Sequence, residues 1–180
     1  MKEYQAFIKS KIFFSLLFKI DKDLSEQLKN TLSLCCGMRL HAGHYLRKVR
    51  GIDDIEDGHN IKFSFNCAKC RHRINPPSLR FFYSTIFASS FFILISALMN
   101  NNDFDLKLAA KKFDVDIKTL RRWKKWWIEI FPTTDLFKKL QGHFSNIIAL
   151  APQYFLNHFN QDKTLEDSLL FTLKLLLDSG

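Results

Sequence analysis

The sequence predicts a mainly α-helical fold with one small β-hairpin module, an α+β class in which a helical bundle contains a helix-turn-helix. Three observations lead to this prediction. Apolar residues recur at helical spacing through most of the chain, whereas short alternating runs are confined to residues 34–77. All four cysteines fall between residues 35 and 70, which indicates a local cross-link within that module. We therefore expect an N-terminal helical segment (1–33), the cysteine module (34–77), a core helix with the helix-turn-helix (78–131) and C-terminal helices (132–180).

The composition is that of a folded globular chain with an excess of cations. The 180 residues are 47% hydrophobic and 25% charged, a balance that argues against long disorder. Lys and Arg number 27 against 18 Asp and Glu, a net charge of +9. This excess favours a polyanionic partner, either nucleic acid or an anionic membrane surface, over acidic substrates and acidic proteins.

The first two regions differ in their hydrophobic period. Residues 4–32 read as one or two amphipathic helices, with an apolar stripe that we expect to pack. Its members are Phe7, Ile8, Ile12, Leu16, Leu17, Leu24 and Leu28. Residues 45–50 and 61–65 then alternate as two strands of a hairpin, joined by an acidic loop with an Asp57-Gly58 turn.

The cysteines are typical of a structural zinc site. The opening residues lack a secretory signal, so we expect a cytoplasmic, reducing location, where clustered cysteines bind metal more often than they form disulfides. Cys67 and Cys70 form a C-x-x-C knuckle, and Cys36 lies 31 residues before Cys67. Tetrahedral Zn²⁺ needs four ligands, so the fourth is Cys35, His41 or His44. This makes residues 34–77 a module like a zinc ribbon, although Ser33 stands where a first C-x-x-C would begin.

Residues 81–99 contain no charge over 19 positions, which is just long enough to cross a bilayer. Their five serine and threonine residues and the following Asn-Asn-Asn-Asp favour a buried core helix instead. A single-span membrane protein with a cytoplasmic zinc module is the alternative hypothesis.

Residues 106–127 have the pattern of a helix-turn-helix. Ala110 is small where two helices would cross, and Asp114 tolerates the left-handed backbone that the turn requires. Asp116 is placed to cap the second helix, which we expect to extend over residues 118–130.

The second helix has one apolar and one basic face. Leu120, Trp123 and Trp127 share a stripe that anchors the helix, and Trp126 is expected in the core as well. The opposite face is suited to double-stranded DNA, with guanidinium groups for guanine edges and ammonium groups for phosphates. The predicted DNA-binding residues are Lys118, Thr119, Arg121, Arg122 and Lys125, of which the two arginines would contact bases.

The C-terminal region is expected to form helices at residues 135–150 and 164–177. Thr164 and Asp167 form a cap pair for the second of these. An apolar stripe of Leu169, Leu170, Leu173 and Leu176 would close the core or form a homodimer seam. No phosphate loop, nucleophile elbow or zinc-protease motif occurs, so the chain is not expected to be an enzyme.

Three segments carry a resemblance to a family. CCGMRLHAGHYLRKVRG, FSFNCAKCRHRINPPSLRF and VDIKTLRRWKKWW resemble bacterial proteins that combine a transposase-type zinc ribbon with a helix-turn-helix and are associated with mobile elements. The resemblance implies a DNA-binding accessory or targeting protein, with a transposase or other recombination protein as partner. A transcriptional regulator of the same architecture is the alternative.

Overall fold

The computed structural model describes residues 7–81, 86–99, 104–135, 137–138 and 164–177. The chain forms two compact units. The cysteine unit is Ser10–Ala88, and the helical unit comprises Met1–Lys9 and Ser89–Gly180. Both helices and antiparallel strands are present, which confirms the α+β class.

Helix α1 spans Lys11–Lys29 of the cysteine unit. The hydroxyl of Ser10 accepts a hydrogen bond from the Phe13 N–H at 3.2 Å and so caps the first turn. The buried face is formed by Phe13, Phe14, Leu17, Asp21 and Ser25, whereas Ile12 is 79% exposed. The prediction that Ile12 packs was therefore wrong: the buried face is rotated toward Asp21, which has a buried ionic partner described below.

The strands of the cysteine unit are short and antiparallel. They are β1 (Leu40–Ala42), β2 (Tyr45–Leu46), β3 (Ile61–Lys62), β4 (Phe65–Cys67) and β5 (Arg73–Ile74). One sheet has the order β1-β4-β5, and the other pairs β2 with β3. Tyr45 lies opposite Lys62 and Leu46 opposite Ile61, so the predicted hairpin is present, but its first strand ends at Leu46 rather than at residue 50. Phe65, predicted on the same strand as Ile61, instead lies in β4 opposite Ala42.

Helix α2 spans Ser89–Leu98, and all ten of its residues are buried. The predicted helix over 81–99 was too long at its start, because the backbone at residues 86–88 is extended. Arg50 donates its N–H to the Ile86 carbonyl at 2.7 Å and accepts from the Ala88 N–H at 2.9 Å. These two hydrogen bonds form a parallel β-bridge between Arg50 and Phe87, just before α2 begins at Ser89. Among the described helices, none combines the length and apolar character that a bilayer crossing demands.

The helical unit continues with α3 (Leu106–Phe113) and α4 (Ile117–Lys125). The predicted helix over 118–130 is regular only to Lys125 and then becomes a π-helix over Trp126–Ile130. In this wider turn the Phe131 N–H donates to the Trp126 carbonyl, five residues back. A 3₁₀ turn, Phe131–Thr133, follows and contains Pro132, which has no N–H to donate.

Helix α5 spans Leu165–Leu177. The Thr164 N–H donates to the Asp167 carboxylate and the Asp167 N–H to the Thr164 hydroxyl, each at 3.2 Å, so the predicted cap pair is confirmed. Of the predicted leucine stripe, Leu169, Leu173 and Leu176 are buried and Leu170 is half-buried. Helix α5 contacts α2, so the stripe contributes to the core of the helical unit. Most of the helix predicted over 135–150 lies outside the described residues.

Candidate metal centre and basic helix

The four cysteines converge on one point of the cysteine unit. The sulfur atoms of Cys35, Cys36, Cys67 and Cys70 all lie within 4.8 Å of one another, and none forms a disulfide. A tetrahedral Zn²⁺ with bonds of about 2.3 Å would hold its thiolates about 3.8 Å apart. The cluster is therefore close to the dimensions of a four-thiolate metal site.

Two tight loops and one strand pairing bring the cysteines together. In the loop that carries Cys35 and Cys36, Gly37 adopts φ 62° and its N–H donates to the Ser33 carbonyl at 2.7 Å. In the loop that carries Cys70, Arg71 adopts φ 58° and its N–H donates to the Cys67 carbonyl at 2.9 Å. Leu40 lies opposite Cys67 in the β1-β4 ladder, so the sheet holds one loop against the other.

The geometry favours Cys35 over the two histidines as the fourth ligand. Among the described residues, the group able to hold a metal consists of the four cysteines alone. The His44 ring accepts the Ser64 N–H at 3.1 Å and packs edge-on against Phe65. His41 is exposed on β1, opposite Asn66.

Ser33 belongs to the surroundings of the cluster. Its hydroxyl oxygen lies 3.2 Å from the Cys67 sulfur and accepts the Met38 N–H at 3.0 Å. The hydrogen bond from Ser33, helped by the backbone N–H groups of Cys70 and Lys69, lowers the pKa of Cys67 to about 6. Ser33, which stands at the position of a missing ligand in the sequence pattern, thus contacts a sulfur of the cluster. Its position three residues before Cys36 is the sequence signal for this contact.

Cys35 and Cys36 hold their protons more tightly than Cys67 does. A shared hydrogen bond with Cys70, together with burial, raises the pKa of Cys36 to about 12 and also raises the pKa of Cys35. The Cys35 and Cys70 sulfur atoms are 3.3 Å apart. Since a metal ion binds thiolates, its entry must displace these protons.

The turn between α3 and α4 matches the sequence prediction in its backbone. Asp114 ends α3 in the left-handed conformation, with φ 52° and ψ 47°. The Asp116 carboxylate accepts the Lys118 N–H at 2.7 Å and so caps α4. The small buried residue of α3 is Ala109 rather than the predicted Ala110, which is half-buried.

Aromatic rings anchor α4 within the helical unit. Leu120, Trp123 and Trp127 are buried, as predicted. The Phe92 ring stacks on Trp127 with centroids 5.8 Å apart and meets Trp123 edge-on at 5.3 Å. Trp126 is half-buried and lies 4.8 Å from the Trp127 ring. One face of α4 is thereby fixed.

The opposite face of α4 presents its cations to solvent. Lys118, Arg121, Arg122 and Lys125 are exposed, and Thr119 is half-buried. Arg122 donates to the Thr119 hydroxyl at 3.0 Å, and Lys125 forms an exposed ion pair with Glu129 at 3.4 Å. Within the described part of the chain, no carboxylate forms an ion pair with Lys118, Arg121 or Arg122.

Comparison of the chain with known protein families, with curated proteins and with solved structures finds no match.

Proposed function

We propose that the protein binds double-stranded DNA through the exposed face of α4. The observation that carries this proposal is the division of α4 into a buried side, with Leu120 and Trp123 below 7% exposure, and a solvent-facing cationic side. A recognition helix needs this division, because its inner residues fix the orientation in which the outer ones enter the major groove.

The roles follow from side-chain chemistry. Arg121 and Arg122 carry planar guanidinium groups that match the O6 and N7 acceptors of guanine, so we assign them to base contacts. Lys118 and Lys125 are point charges that suit phosphates, and Thr119 orients Arg122 through the hydroxyl contact described above.

Zn²⁺ is the metal that we propose for the cysteine cluster. Four thiolates suit Zn²⁺ and leave no coordination position open, which supports a structural rather than a catalytic site. Residues 34–39 and 68–72 are exposed apart from the half-buried Cys36, so these two loops bury little apolar surface and a metal would hold them together.

The cysteine motifs and the α4 sequence resemble those of bacterial proteins associated with mobile elements. This resemblance supports a role as an accessory or targeting protein of a mobile element. In this role the partner would be a transposase or another recombination protein. A transcriptional regulator would use the same contacts. The two roles differ in where the DNA sequences that the protein prefers occur in the genome. Preferred sequences at the ends of mobile elements support the accessory role, and preferred sequences at promoters support the regulator.

The test is a selection from random duplex oligonucleotides, followed by affinities for the selected site and a scrambled duplex. In Arg121→Ala/Arg122→Ala we expect the ratio of the two affinities to fall at least about tenfold, since each bidentate base contact contributes about 1–3 kcal/mol of discrimination. The matched control is Lys22→Ala/Lys29→Ala, which removes two exposed cations from α1. An unchanged ratio in the arginine double variant would refute the assignment of α4.

A further inference from the structure

Charge is segregated within the cysteine unit. No Asp or Glu occurs at residues 27–52 or 58–88; the acidic residues of the unit lie on α1 and at residues 53–57. Four exposed cations, by contrast, lie within three residues of a cysteine of the cluster. They are Arg39, Lys69, Arg71 and Arg73, and we call them the knuckle cations.

Backbone pairing places the knuckle cations in or beside the two loops that carry the cysteines. The Ala68 N–H, next to Lys69, donates to the Arg39 carbonyl at 3.0 Å. Arg73 lies opposite Asn66 in the β4-β5 ladder, and Arg71 is in the loop between these strands. The backbones of all four residues therefore lie close to the cysteine cluster rather than being scattered over the unit.

The knuckle cations are not neutralised by carboxylates. Within the part of the chain that the structure describes, none of them forms an ion pair. Arg73 instead lies over the ring of Tyr45, 5.6 Å from its centroid, and Tyr45 is itself exposed. Guanidinium groups held in this way beside an aromatic ring are suited to phosphate oxygens.

The backbone at Arg71 supports a role for its side chain. Its φ of 58° is a conformation that favours Gly or Asn and disfavours a long side chain. Folding of the loop alone would be served better by glycine at this position. An arginine at a position where glycine would be less strained supports a role for its charged group.

We propose that the knuckle cations form a second DNA-contacting surface that binds the phosphate backbone of a duplex. The proposal rests on the DNA binding proposed above, because it gives the same ligand a second set of contacts. These contacts supply affinity and salt dependence, whereas α4 supplies sequence preference. A competing role for the cations is compensation of the negative charge of four thiolates.

The test compares three double variants of the full, zinc-loaded chain: Lys69→Ala/Arg71→Gly, Arg121→Ala/Arg122→Ala and the control Lys22→Ala/Lys29→Ala. Arg71→Gly removes the charge and suits the left-handed backbone, so the loop is expected to keep its fold. Affinity for a labelled duplex is measured against salt concentration, and zinc affinity by competition with a chelator.

In Lys69→Ala/Arg71→Gly we expect affinity for every duplex to fall at least about tenfold at about 0.1 M salt, and the slope of log K against log salt to shrink by about 2. The ratio between selected and scrambled sites and the zinc affinity should not change. If this variant weakens binding and the α4 variant leaves the ratio unchanged, the second surface stands and the proposed role of α4 fails.

Three outcomes would overturn the second surface. One is a loss of affinity no larger than in the control variant. Another is weaker zinc binding that fully accounts for the weaker DNA binding, which would assign the cations to charge compensation. The third is binding to vesicles that contain phosphatidylserine, with no dependence of DNA affinity on Lys69 and Arg71.

Discussion

Asp21 and Arg80 form a buried ion pair, with the arginine Nε 2.8 Å from a carboxylate oxygen and both side chains at most 1% exposed. The pair joins α1 to the segment after Pro77. Asp21 also accepts the Ser78 hydroxyl and the Leu79 N–H, each at 2.6 Å. Arg80 also donates hydrogen bonds to the carbonyls of His59 and Ile61. Each guanidinium nitrogen and each carboxylate oxygen thus has a partner, which a buried ion pair requires.

Replacing Asp21 with Ala should lower the free energy of unfolding by about 3–5 kcal/mol, because it leaves the guanidinium of Arg80 buried without its anion. Urea unfolding of the full chain measures this loss. Asp23→Ala is the matched control, since Asp23 is exposed on the same helix and should change stability by less than about 0.5 kcal/mol. Equal effects of the two substitutions would contradict the role of the pair.

Lys62 should make stability depend on pH. Burial, with smaller contributions from Arg47 and Arg80, lowers the pKa of Lys62 from 10.5 to about 8. Between about pH 8 and 10.5 the unfolded chain keeps a proton that the folded chain has lost, so the free energy of unfolding rises with pH in this window. Below pH 8 the folded protein carries the full cost of a buried ammonium group.

Lys62→Met should therefore raise the free energy of unfolding at pH 7 by on the order of 1–3 kcal/mol and flatten its rise above pH 8. Denaturant unfolding at a series of pH values measures both effects. Lys48→Met serves as the control because Lys48 is exposed. A rise of the same size above pH 8 in the Lys62 variant would show that another group is responsible.

The parts of the fold predicted correctly are those that local chemistry determines. Asp114 and Asp116 shape the α3-α4 turn through their own backbone and nearest neighbours, so spacing alone placed them. The four cysteines all lie between residues 35 and 70, so their clustering could also be predicted from the sequence.

Long-range pairing determined the features that the sequence did not reveal. The ion pair between Asp21 and Arg80 was not predicted, because the two residues are 59 positions apart in the sequence. The start of α2 was misplaced for the same reason, since hydrogen bonds to Arg50 hold residues 86–88 extended. The spacing of apolar residues along the sequence gives no information about such long-range contacts.

Because Asp114 adopts a left-handed backbone, two substitutions at this position should differ in their effect on stability. Asp114→Val should lower the free energy of unfolding by about 1–2 kcal/mol, because a β-branched side chain clashes in this conformation. Asp114→Gly should stay within about 0.5 kcal/mol of the parent, since glycine adopts a positive φ freely but loses more entropy on folding. Thermal or urea unfolding distinguishes them. Equal losses in both variants would mean that the Asp114 side chain, rather than its backbone, holds the turn.

Because Ser33 lies beside Cys67, a cysteine at position 33 should be able to replace Cys35 as the fourth ligand. Cys35→Ser should weaken zinc binding strongly, since it removes one of four thiolates. Adding Ser33→Cys to that variant should restore zinc binding, because it creates a C-x-x-C ending at Cys36 and the residue 33 side chain already contacts the Cys67 sulfur. Bound zinc and chelator competition report both steps.

Ser33→Ala tests the contribution of the Ser33 hydroxyl to zinc affinity when all four cysteines are present. It keeps all four thiols but removes the largest of the contributions that lower the pKa of Cys67 to about 6. More protons must then leave before zinc enters, so zinc affinity should fall by about 10–100-fold, with the larger loss at lower pH. Full zinc affinity in Cys35→Ser alone would show that Cys35 is not a ligand. Failure of Ser33→Cys to rescue that variant would show that residue 33 does not reach the metal.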